Sequence, residues 1–156
     1  MINLIWAMDE HRLIGNKGEL PWYFPEDLQY FKAKTLNKTV VMGRTTFESI
    51  MRRNNKPLPK RKNVVLSHFE SVHPEVETIH DLQKYFKSHP DEEIFVIGGK
   101  QIFEQSIDFA DRLYITYIKG VFEGNVYFEE FDLDQFRLIE RSDQGLLSFC
   151  IYERKS

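Results

Sequence analysis

Residues 94–103 read IFVIGGKQIF. Four apolar residues come first, the pair Gly98-Gly99 interrupts them, and a helical pattern follows over residues 100–109. A short apolar run that ends at glycine is typical of a buried strand. A strand that leads directly into a helix predicts a parallel strand–helix–strand unit, and ligands bind beyond the carboxyl ends of such strands.

The same arrangement occurs earlier in the chain. Residues 40–50 read VVMGRTTFESI, in which a strand over 39–42 breaks at Gly43-Arg44 and a helix is expected over 45–51. Thr45 and Glu48 have the spacing of a capping box, in which each side chain bonds backbone N–H of the other at a helix start. Two units of this kind favour a largely parallel α/β sheet.

Apolar runs and turn residues predict the other elements. Strands are expected at 2–8, 63–67, 76–79 and 112–119, helices at 25–35 and, capped by Asp81, at 82–88, and a closing hairpin at 136–139 and 146–154. The hairpin adds an antiparallel edge, so the predicted sheet is mixed but mainly parallel. A glycine-containing loop occupies residues 9–22.

Length and composition set bounds on function. A chain of 156 residues fits one domain, 1–156, with a proper core. The net charge of −3 argues against nucleic-acid binding, which usually needs a basic excess. The lone Cys150 allows no intrachain disulfide, and the histidines lack metal-ligand spacing, so no metal is expected. Without a signal-like or membrane-length apolar run, we expect a cytoplasmic protein that does not bind membranes.

Residues 20–31, LPWYFPEDLQYF, place a carboxylate on an apolar helix face. Phe24, Leu28 and Phe31 recur at helical spacing, and Asp27 lies on the stripe that they form. A carboxylate there is costly unless it is paired, and in an enzyme the partner can be a ligand. The alternative is structural, because acidic residues in a first helical turn complement the helix dipole.

Both strand–glycine–helix units offer groups that bind phosphate. In the first, Gly43 exposes the backbone, Arg44 supplies charge, and Thr45-Thr46 lie at a helix start, where free N–H groups bind anions. The second has Gly98-Gly99 but not G-x-G-x-x-G, so it is a weak dinucleotide signature. The alternatives are a capped helix with a solvated arginine at the first unit and a plain tight turn at the second.

Two further segments carry polar groups of uncertain role. Ser67 and His68 end a strand in NVVLSHFE, where, beside Arg44, they could bind another phosphate or could lie free on the surface. The basic segment 52–62, RRNNKPLPKRK, could bind an anionic tail, although simple solvation is the favoured interpretation. Arg61 is the exception, because it directly precedes a strand and its backbone is therefore fixed.

Taken together, these segments resemble bacterial dihydrofolate reductase. The likeness runs through LIWAMDEHRLIGNKGELPW, PEDLQYFK, VVMGRTTFESI, PLPKRKNVVLS, IGGKQIF and DRLYITYI, in the family's order over essentially the whole chain. It implies a three-layer α/β fold with a mixed, mainly parallel eight-stranded sheet flanked by four helices. It also implies NADPH-dependent reduction of dihydrofolate to tetrahydrofolate by a monomer that binds antifolates such as methotrexate or trimethoprim.

The resemblance assigns a substrate site. Asp27, Trp22 and Thr116 would be catalytic: Asp27 would hold the pterin through its 2-amino and ring N–H groups, Thr116 would support that contact, and Trp22 would help to order a water. Arg61 would pair with the α-carboxylate of the glutamate. The walls around the pterin and benzoyl groups would be Ile5, Ala7, Leu28, Phe31, Ile50 and Leu58.

It also assigns an NADPH site. Gly98 and Gly99 resemble a pair joined by a cis peptide bond, and residues 13–20 would form a mobile loop that closes over the nicotinamide and excludes water. Ser67 and His68 would select the 2′-phosphate. The full set is Ala7, Leu13, Ile14, Gly15, Asn16, Gly18, Leu20, Gly43, Arg44, Thr45, Thr46, Leu66, Ser67, His68, Ile97, Gly98, Gly99, Lys100, Gln101, Ile102 and Phe103.

In the implied mechanism, hydride passes from nicotinamide C4 to pterin C6 and a water delivers the proton to N5. The chain departs from the family at Asn125, where an acid usually latches the loop, and at Phe103, where tyrosine is frequent. Residues 51–56 form a longer loop than in compact members. We therefore expect the loop at 13–20 to be latched more weakly or differently.

Alternative functions remain open at this point. A reductase of the riboflavin pathway shares the fold and NADPH but should lack the LPW and Asp27 pocket. A non-catalytic module would bind NADPH and an antifolate without turnover, and Asn125 gives it slight support. A structural or interaction protein would need several functional positions to match by accident.

Overall fold

The computed structural model describes residues 1–69 and 71–156, in which strands alternate with helices. The strands are β1 (Ile2–Met8), β2 (Leu13–Gly15), β3 (Thr39–Gly43), β4 (Lys62–Leu66), β5 (Glu77–Ile79), β6 (Ile94–Gly98), β7 (Arg112–Ile118), β8 (Val126–Tyr127), β9 (Phe136–Gln144) and β10 (Leu147–Arg154). The helices are α1 (Pro25–Thr35), α2 (Arg44–Asn54), α3 (Leu82–Ser88) and α4 (Lys100–Ser106), with 3₁₀ turns at Ile107–Phe109 and Leu133–Gln135.

Eight of these strands form one sheet in the order β5-β4-β3-β6-β1-β7-β10-β9. β1 runs parallel to β6 on one side and to β7 on the other, and β3, β4 and β5 continue the parallel part. β10 is antiparallel to both β7 and β9. The predicted mixed, mainly parallel sheet is confirmed, and its antiparallel edge is the closing hairpin.

The four helices cover both faces of the sheet. On one face, Leu4 and Trp6 of β1 pack in a core that includes residues of α3 and α4. On the other face, Ile5 packs with residues of α1 and α2. Successive residues of β1 thus enter opposite cores, which is why the strand is a continuous apolar run rather than an alternating one. The predicted three-layer arrangement is therefore confirmed.

Helix α2 starts earlier than the sequence predicted. It begins at Arg44, and Gly43 is its N-cap residue without a side-chain cap. Thr45 is therefore the second helical residue, and the predicted capping box of Thr45 and Glu48 is wrong. The extended backbone of Gly43 (φ −80°, ψ 167°) leads the strand directly into the helix.

Helix α2 also ends later than predicted. It runs to Asn54, and Asn55 terminates it in a left-handed conformation with φ 60°. Asparagine tolerates this conformation better than most residues, so it commonly ends helices. The first part of the segment that was expected to be a basic loop is therefore an additional helical turn, and Arg52 and Arg53 lie on it.

The loop between β1 and α1 contains structure that the sequence did not predict. β2 pairs antiparallel with β8 as a separate two-stranded sheet. Asn16 and Glu19 then exchange backbone hydrogen bonds of 2.8 and 3.0 Å. Between them, Lys17 and Gly18 have φ angles of 52° and 83°, as a two-residue type I′ turn requires. Strands of two or three residues carry no readable periodicity, so this hairpin escaped detection.

Other differences from prediction are small. The helix that begins at Lys100 ends at Ser106 and continues as a 3₁₀ turn, and β9 extends to Gln144, beyond the predicted end at residue 139. The predicted cap of α3 is confirmed, since the Asp81 side chain accepts a hydrogen bond from the Lys84 N–H. Within the described ranges, no helix is both long and apolar enough to cross a membrane.

Candidate active site

One large cavity lies where the carboxyl ends of β1, β3, β4 and β6 meet helices α1 and α2. Its volume is about 1310 Å³, which exceeds the roughly 300–1,000 Å³ of a site for one drug-sized ligand. The cavity is therefore large enough for two ligands side by side. Its position agrees with the general rule that α/β sheets bind ligands beyond the carboxyl ends of their strands.

Asp27 lines this cavity from the first turn of α1. Pro25 occupies the first helical position, where a missing N–H costs nothing, and Asp27 follows in the same turn. Burial raises the pKa of Asp27, and hydrogen bonding to the Thr116 hydroxyl acts in the opposite direction. The carboxylate is thus partly desolvated, and a ligand that donates hydrogen bonds would favour its charged form.

Thr116 is placed beside Asp27 by the register of the sheet. It lies on β7, is only 2% exposed, and pairs with Ala7 of β1. Both residues line the cavity. A hydroxyl on a central, fully paired strand has little freedom to move, so the polar contact that Thr116 makes with Asp27 is rigid.

Apolar side chains surround Asp27. Ile5 and Ile50 are nearly buried, whereas Leu28 is 41% exposed. Phe24 and Phe31 of the stripe predicted on α1 pack against core residues and also line cavities, whereas Leu28 lines both cavities and remains accessible. Phe31 and Leu58 complete these walls.

Arg61 does not line the cavity itself. Its Nε donates a hydrogen bond of 2.8 Å to the Thr35 hydroxyl, and its Nη1 donates one of 2.8 Å to the Pro59 carbonyl oxygen. Its guanidinium lies 6.0 Å from the ring centroid of Phe31, which is a cavity residue. Burial lowers the pKa of Arg61. The group is thus fixed just behind the cavity wall, and no carboxylate among the described residues forms an ion pair with it.

Trp22 borders a smaller cavity of about 250 Å³ next to the large one. Asp27 and Leu28 line both cavities. The Trp22 side chain is buried, and its indole N–H has no hydrogen-bond partner among the described residues. A buried donor of this kind is costly to leave unpaired, so the small cavity suits a polar guest.

The opposite end of the cavity is formed by glycines and a helix start. Gly43, Arg44 and Thr46 line it at the beginning of α2, where backbone N–H groups are free. Gly98 has φ 130°, and the Gly98–Gly99 peptide bond is cis. A Cβ atom on Gly43 would lie 3.0 Å from the Ile102 side chain, so a larger residue there would disturb the cavity wall.

The rim beyond this end carries cations and rings. Arg44 lies over the exposed ring of Phe69 at 4.9 Å from its centroid. The orientation of the His80 ring is fixed by a hydrogen bond, because its Nδ1 lies 2.7 Å from the Ser67 carbonyl oxygen. A carbonyl only accepts, so this nitrogen carries the proton and Nε2 is left without one in the neutral ring. His68 lies on the same rim.

Most of the predicted site residues are brought together. The large cavity is lined by Ile5, Ala7, Ile14, Gly15, Gly18, Leu20, Asp27, Leu28, Phe31, Gly43, Arg44, Thr45, Thr46, Ile50, Leu58, Leu66, Ser67, His68, Ile97, Gly98, Gly99, Lys100, Gln101, Ile102, Phe103 and Thr116. Four are not part of its lining: Leu13, Asn16, Trp22 and Arg61. Leu13 is fully buried in a core cluster that includes Trp22, so its side chain does not reach a ligand.

The loop at 13–20 is held over the cavity from two sides. The Lys17 N–H donates a hydrogen bond of 2.9 Å to Asn125 Oδ1, and the Asn125 N–H donates one of 3.1 Å to the Gly15 carbonyl. On the other side, Glu19 forms an ion pair with Arg52 of the additional α2 turn, with 3.3 Å between Oε1 and Nη2. The loop is therefore latched despite the missing acid at position 125.

Several cavity residues were not predicted. Ser49 and Arg53 follow Thr46 and Ile50 on one face of α2, so the helical period could have revealed them once the true length of α2 was known. Phe69 and His80 gave no such signal, because their loop positions depend on tertiary contacts. The others are Trp6, Glu19, Tyr30, Asn54, Asp81, Leu82, Gln83, Gln105, Phe109 and Val126.

A family model for dihydrofolate reductase matches residues 1–152. The chain belongs to the dihydrofolate reductase family. The dihydrofolate reductase of Bacillus subtilis (strain 168) is 42% identical over 169 residues, which span 100% of this chain and 96% of that protein. The dihydrofolate reductase of Staphylococcus aureus (strain Mu50 / ATCC 700699) is 38% identical over 140 residues, spanning 88% of this chain and 83% of that protein.

A solved structure supports the same relationship. Dihydrofolate reductase from Enterococcus faecalis, complexed with NADP(H) and RAB-propyl, superposes with a TM-score of 0.88 at 32% identity, covering 100% of this chain and 97% of that one. The resemblance inferred from sequence and the dihydrofolate reductase-like fold are both confirmed. The chain is thus related throughout its length to oxidoreductases.

Proposed function

We propose that this chain catalyses the NADPH-dependent reduction of 7,8-dihydrofolate to 5,6,7,8-tetrahydrofolate, supplying one-carbon and thymidylate metabolism. The observation that carries the proposal is the position of Asp27: a partly desolvated carboxylate at the apolar end of a cavity whose other end has a helix start and Arg44. One end suits a flat ring with N–H donors, and the other suits phosphate groups.

The residues present fit NADPH. Gly43 and Gly98 leave room for close approach to the backbone, Thr46 adds a hydroxyl, and Arg44 adds a charge at the same end. When bound, the cofactor supplies the hydride, which passes from nicotinamide C4 to pterin C6. We propose that Ser67 and His68, which line the same cavity, favour the additional 2′-phosphate of NADPH and so select it over NADH.

Asp27 anchors the pterin. As a carboxylate it accepts hydrogen bonds from the 2-amino group and a ring N–H, and Thr116 supports this contact from β7. These hydrogen bonds would align the pterin ring with the nicotinamide for hydride transfer and would polarise the ring. Bound in this way, Asp27 would lie too far along the ring to protonate N5 directly, so we propose that a water would deliver that proton. Trp22, whose buried indole N–H has no partner among the described residues, would help to order this water.

The remaining residues position the substrate and exclude solvent. Leu28, Phe31 and Ile50 hold the pterin and benzoyl groups, and Arg61 pairs with the α-carboxylate of the glutamate. The loop at 13–20, latched by Asn125, shields the reacting atoms from water. The absence of an acid at position 125 favoured a non-catalytic binding module only if the loop lacked its latch. Because Asn125 forms such a latch, that argument no longer holds.

We extend the proposal to the setting of the enzyme. The chain acts as one domain, 1–156, and as a monomer in the cytoplasm, where it binds dihydrofolate and antifolates such as methotrexate or trimethoprim but neither nucleic acid nor membranes. The sheet supports a single domain, because β1 and β10 from the two ends of the chain both pair with β7.

The test is the loss of NADPH absorbance when dihydrofolate is added, repeated with NADH and with Asp27→Asn. We expect rapid, methotrexate-sensitive oxidation that prefers NADPH and fails in the variant at neutral pH, with partial recovery at low pH. Tight binding of NADPH and methotrexate without turnover would instead identify a binding module. Unchanged kinetics in the variant would refute the role of Asp27.

A further inference from the structure

The additional turn of α2 places an arginine beside the loop at 13–20. Arg52 lies in the last turn of α2, and its Nη2 is 3.3 Å from Oε1 of Glu19. The same nitrogen is 3.4 Å from the position that a Cβ atom on Gly18 would occupy. Gly18 and Glu19 line the large cavity, whereas Arg52 does not. Arg52 therefore contacts a cavity-lining loop without lining the cavity itself.

The backbone holds both partners of this ion pair in place. Glu19 closes the two-residue turn of the loop, because it exchanges backbone hydrogen bonds of 2.8 and 3.0 Å with Asn16. On the other side, the Asn55 N–H donates a hydrogen bond of 2.9 Å to the Met51 carbonyl and so secures the last turn of α2. Two side chains on fixed backbones lose less conformational entropy on pairing than two side chains on mobile segments.

Two ordinary explanations account for a cation at this position. An arginine in the last turn of a helix complements the helix dipole. The two side chains are 56% and 48% exposed, and such pairs contribute little to the stability of a fold. A loop that opens and closes is more sensitive, because a two- to fivefold change in its open fraction corresponds to only about 0.4–1 kcal/mol.

The ion pair and Asn125 attach the loop to different parts of the protein. Asn125 joins it to the segment before β8 through neutral hydrogen bonds, whereas Arg52 joins it to α2 through opposite charges. Within residues 1–69 and 71–156, Glu19 and Arg52 form no ion pair with any other residue. Breaking the pair should therefore detach the loop from α2 and leave the contact with Asn125 in place.

We propose that Arg52 is a positioning residue that, through its ion pair with Glu19, keeps the loop at 13–20 closed over the cavity and so slows the release of NADPH. This inference rests on the proposed function, because it assumes that NADPH occupies the cavity under the loop. It gives the longer segment at 51–56 a role in cofactor exchange. That exchange depends on salt, since counterions screen two exposed charges.

The test is stopped-flow measurement of NADPH release, without any folate, from the wild type, Glu19→Gln, Arg52→Gln and the double variant. Each single substitution should speed release two- to fivefold. The double variant should be no faster than either, because both substitutions break the same bond. Arg141→Gln is the matched control and should leave release unchanged, since Arg141 is 58% exposed and ion-paired with Asp143 but does not line the cavity.

Reversing the charges separates the pairing from the loss of one charge. Arg52→Glu alone, or Glu19→Arg alone, places like charges together and should speed release more than the neutral substitutions do. The two reversals combined should restore most of the wild-type rate, although a glutamate at the end of α2 opposes the helix dipole. Added salt should speed release more in the wild type than in Arg52→Gln.

A second measurement needs no cofactor. In the ligand-free protein, the amides of Asn16 and Glu19 should exchange with solvent faster in Arg52→Gln than in the wild type. Additive effects of the neutral substitutions, no recovery on charge reversal, or an equal change in Arg141→Gln would overturn the inference and leave the reductase intact. Failure of the wild type to bind NADPH would overturn the proposed function and the role in release with it, and amide exchange would still decide whether the ion pair holds the loop.

Discussion

The Lys17 N–H donates a hydrogen bond of 2.9 Å to the side-chain oxygen of Asn125. The bond joins the turn of the loop at 13–20 to the segment that precedes β8. An amide oxygen accepts from an N–H as a carboxylate does, but without the extra strength of a charged acceptor. On this side the loop is therefore latched by a neutral group, and this bond, unlike the Glu19–Arg52 ion pair on the other side, should be largely insensitive to the titration of acids.

Asn125→Ala should loosen the loop. Removing a hydrogen bond of about 0.5–1.5 kcal/mol should speed NADPH release roughly three- to tenfold, because under the proposed function the closed loop would cover the nicotinamide. Stopped-flow measurement of cofactor dissociation checks this. Asn125→Asp serves as the control and should slow release, since a charged acceptor strengthens the same bond; equal release rates in all three proteins would show that the bond does not hold the loop.

Gly124→Ala should disturb the same region through sterics. A Cβ atom at this position would lie 2.5 Å from the Gly15 carbonyl oxygen and 2.7 Å from Leu13 Cδ1. Overpacking of this kind costs about 1–3 kcal/mol. The melting temperature and kcat should fall together, because the displaced loop belongs to the cofactor end; a variant with wild-type melting and turnover would contradict this packing.

The central sheet was the part most predictable from sequence. β1, β3 and β6 are buried on both faces, so each is a short apolar run that ends at a polar or glycine residue. The contribution of Asp27 to the cavity was also predictable, because its helical spacing puts it on the same face as Leu28. Such patterns depend only on residues close together in the sequence, so they can be recognised without knowing the tertiary contacts.

The parts that were missed depend on contacts between distant segments. The β2–β8 sheet joins residues more than a hundred positions apart through only a few pairings. The end of α2 depends on the left-handed conformation of Asn55, whereas the local sequence at 52–56 predicts a loop. Phe69 and His80 reach the rim through Arg44 and Ser67, and no spacing rule connects these positions.

Arg44 and Phe69 should determine much of the preference for NADPH over NADH. Arg44→Gln should raise KM for NADPH about tenfold and leave KM for NADH nearly unchanged, because only NADPH carries the additional phosphate. Phe69→Leu removes a stacking contact of about 0.5–1 kcal/mol that holds the guanidinium, so a smaller loss of two- to fivefold is expected. NADH is the internal control, and a parallel loss for both cofactors would show that Arg44 binds the pyrophosphate that they share and does not distinguish NADPH by its additional phosphate.

Replacing Asp9 or Asp27 by asparagine should change the stability of the fold in opposite directions. Asp9 is 3% exposed, and its two oxygens accept backbone hydrogen bonds from His11, Leu13 and Phe122 at 2.8, 3.0 and 2.9 Å. Burial alone would raise the pKa of Asp9, but these donors outweigh it and lower the pKa below 3.8. Asp9→Asn should therefore destabilise the fold by about 1–3 kcal/mol at pH 7, since an amide offers one acceptor oxygen instead of two.

Asp27→Asn should instead stabilise the ligand-free protein at pH 7. Because burial raises the pKa of Asp27 in the folded state, its charge opposes folding at any pH above that raised value, and a neutral amide removes the penalty. As the pH falls below 3.8, both folded and unfolded wild type become protonated at Asp27, so the gain should vanish. The stabilising contribution of Asp9, whose folded pKa is lowered, is present above pH 3.8 and should be lost as the pH falls through the folded pKa.

Thermal unfolding of the wild type and both variants at pH 7 and near pH 3 measures both changes in stability, the loss in Asp9→Asn and the gain in Asp27→Asn. If both substitutions destabilise the protein at pH 7, the Asp27 carboxylate stabilises α1 in the ligand-free fold. The idea that the fold tolerates an unfavourable charge in order to bind a ligand would then be wrong.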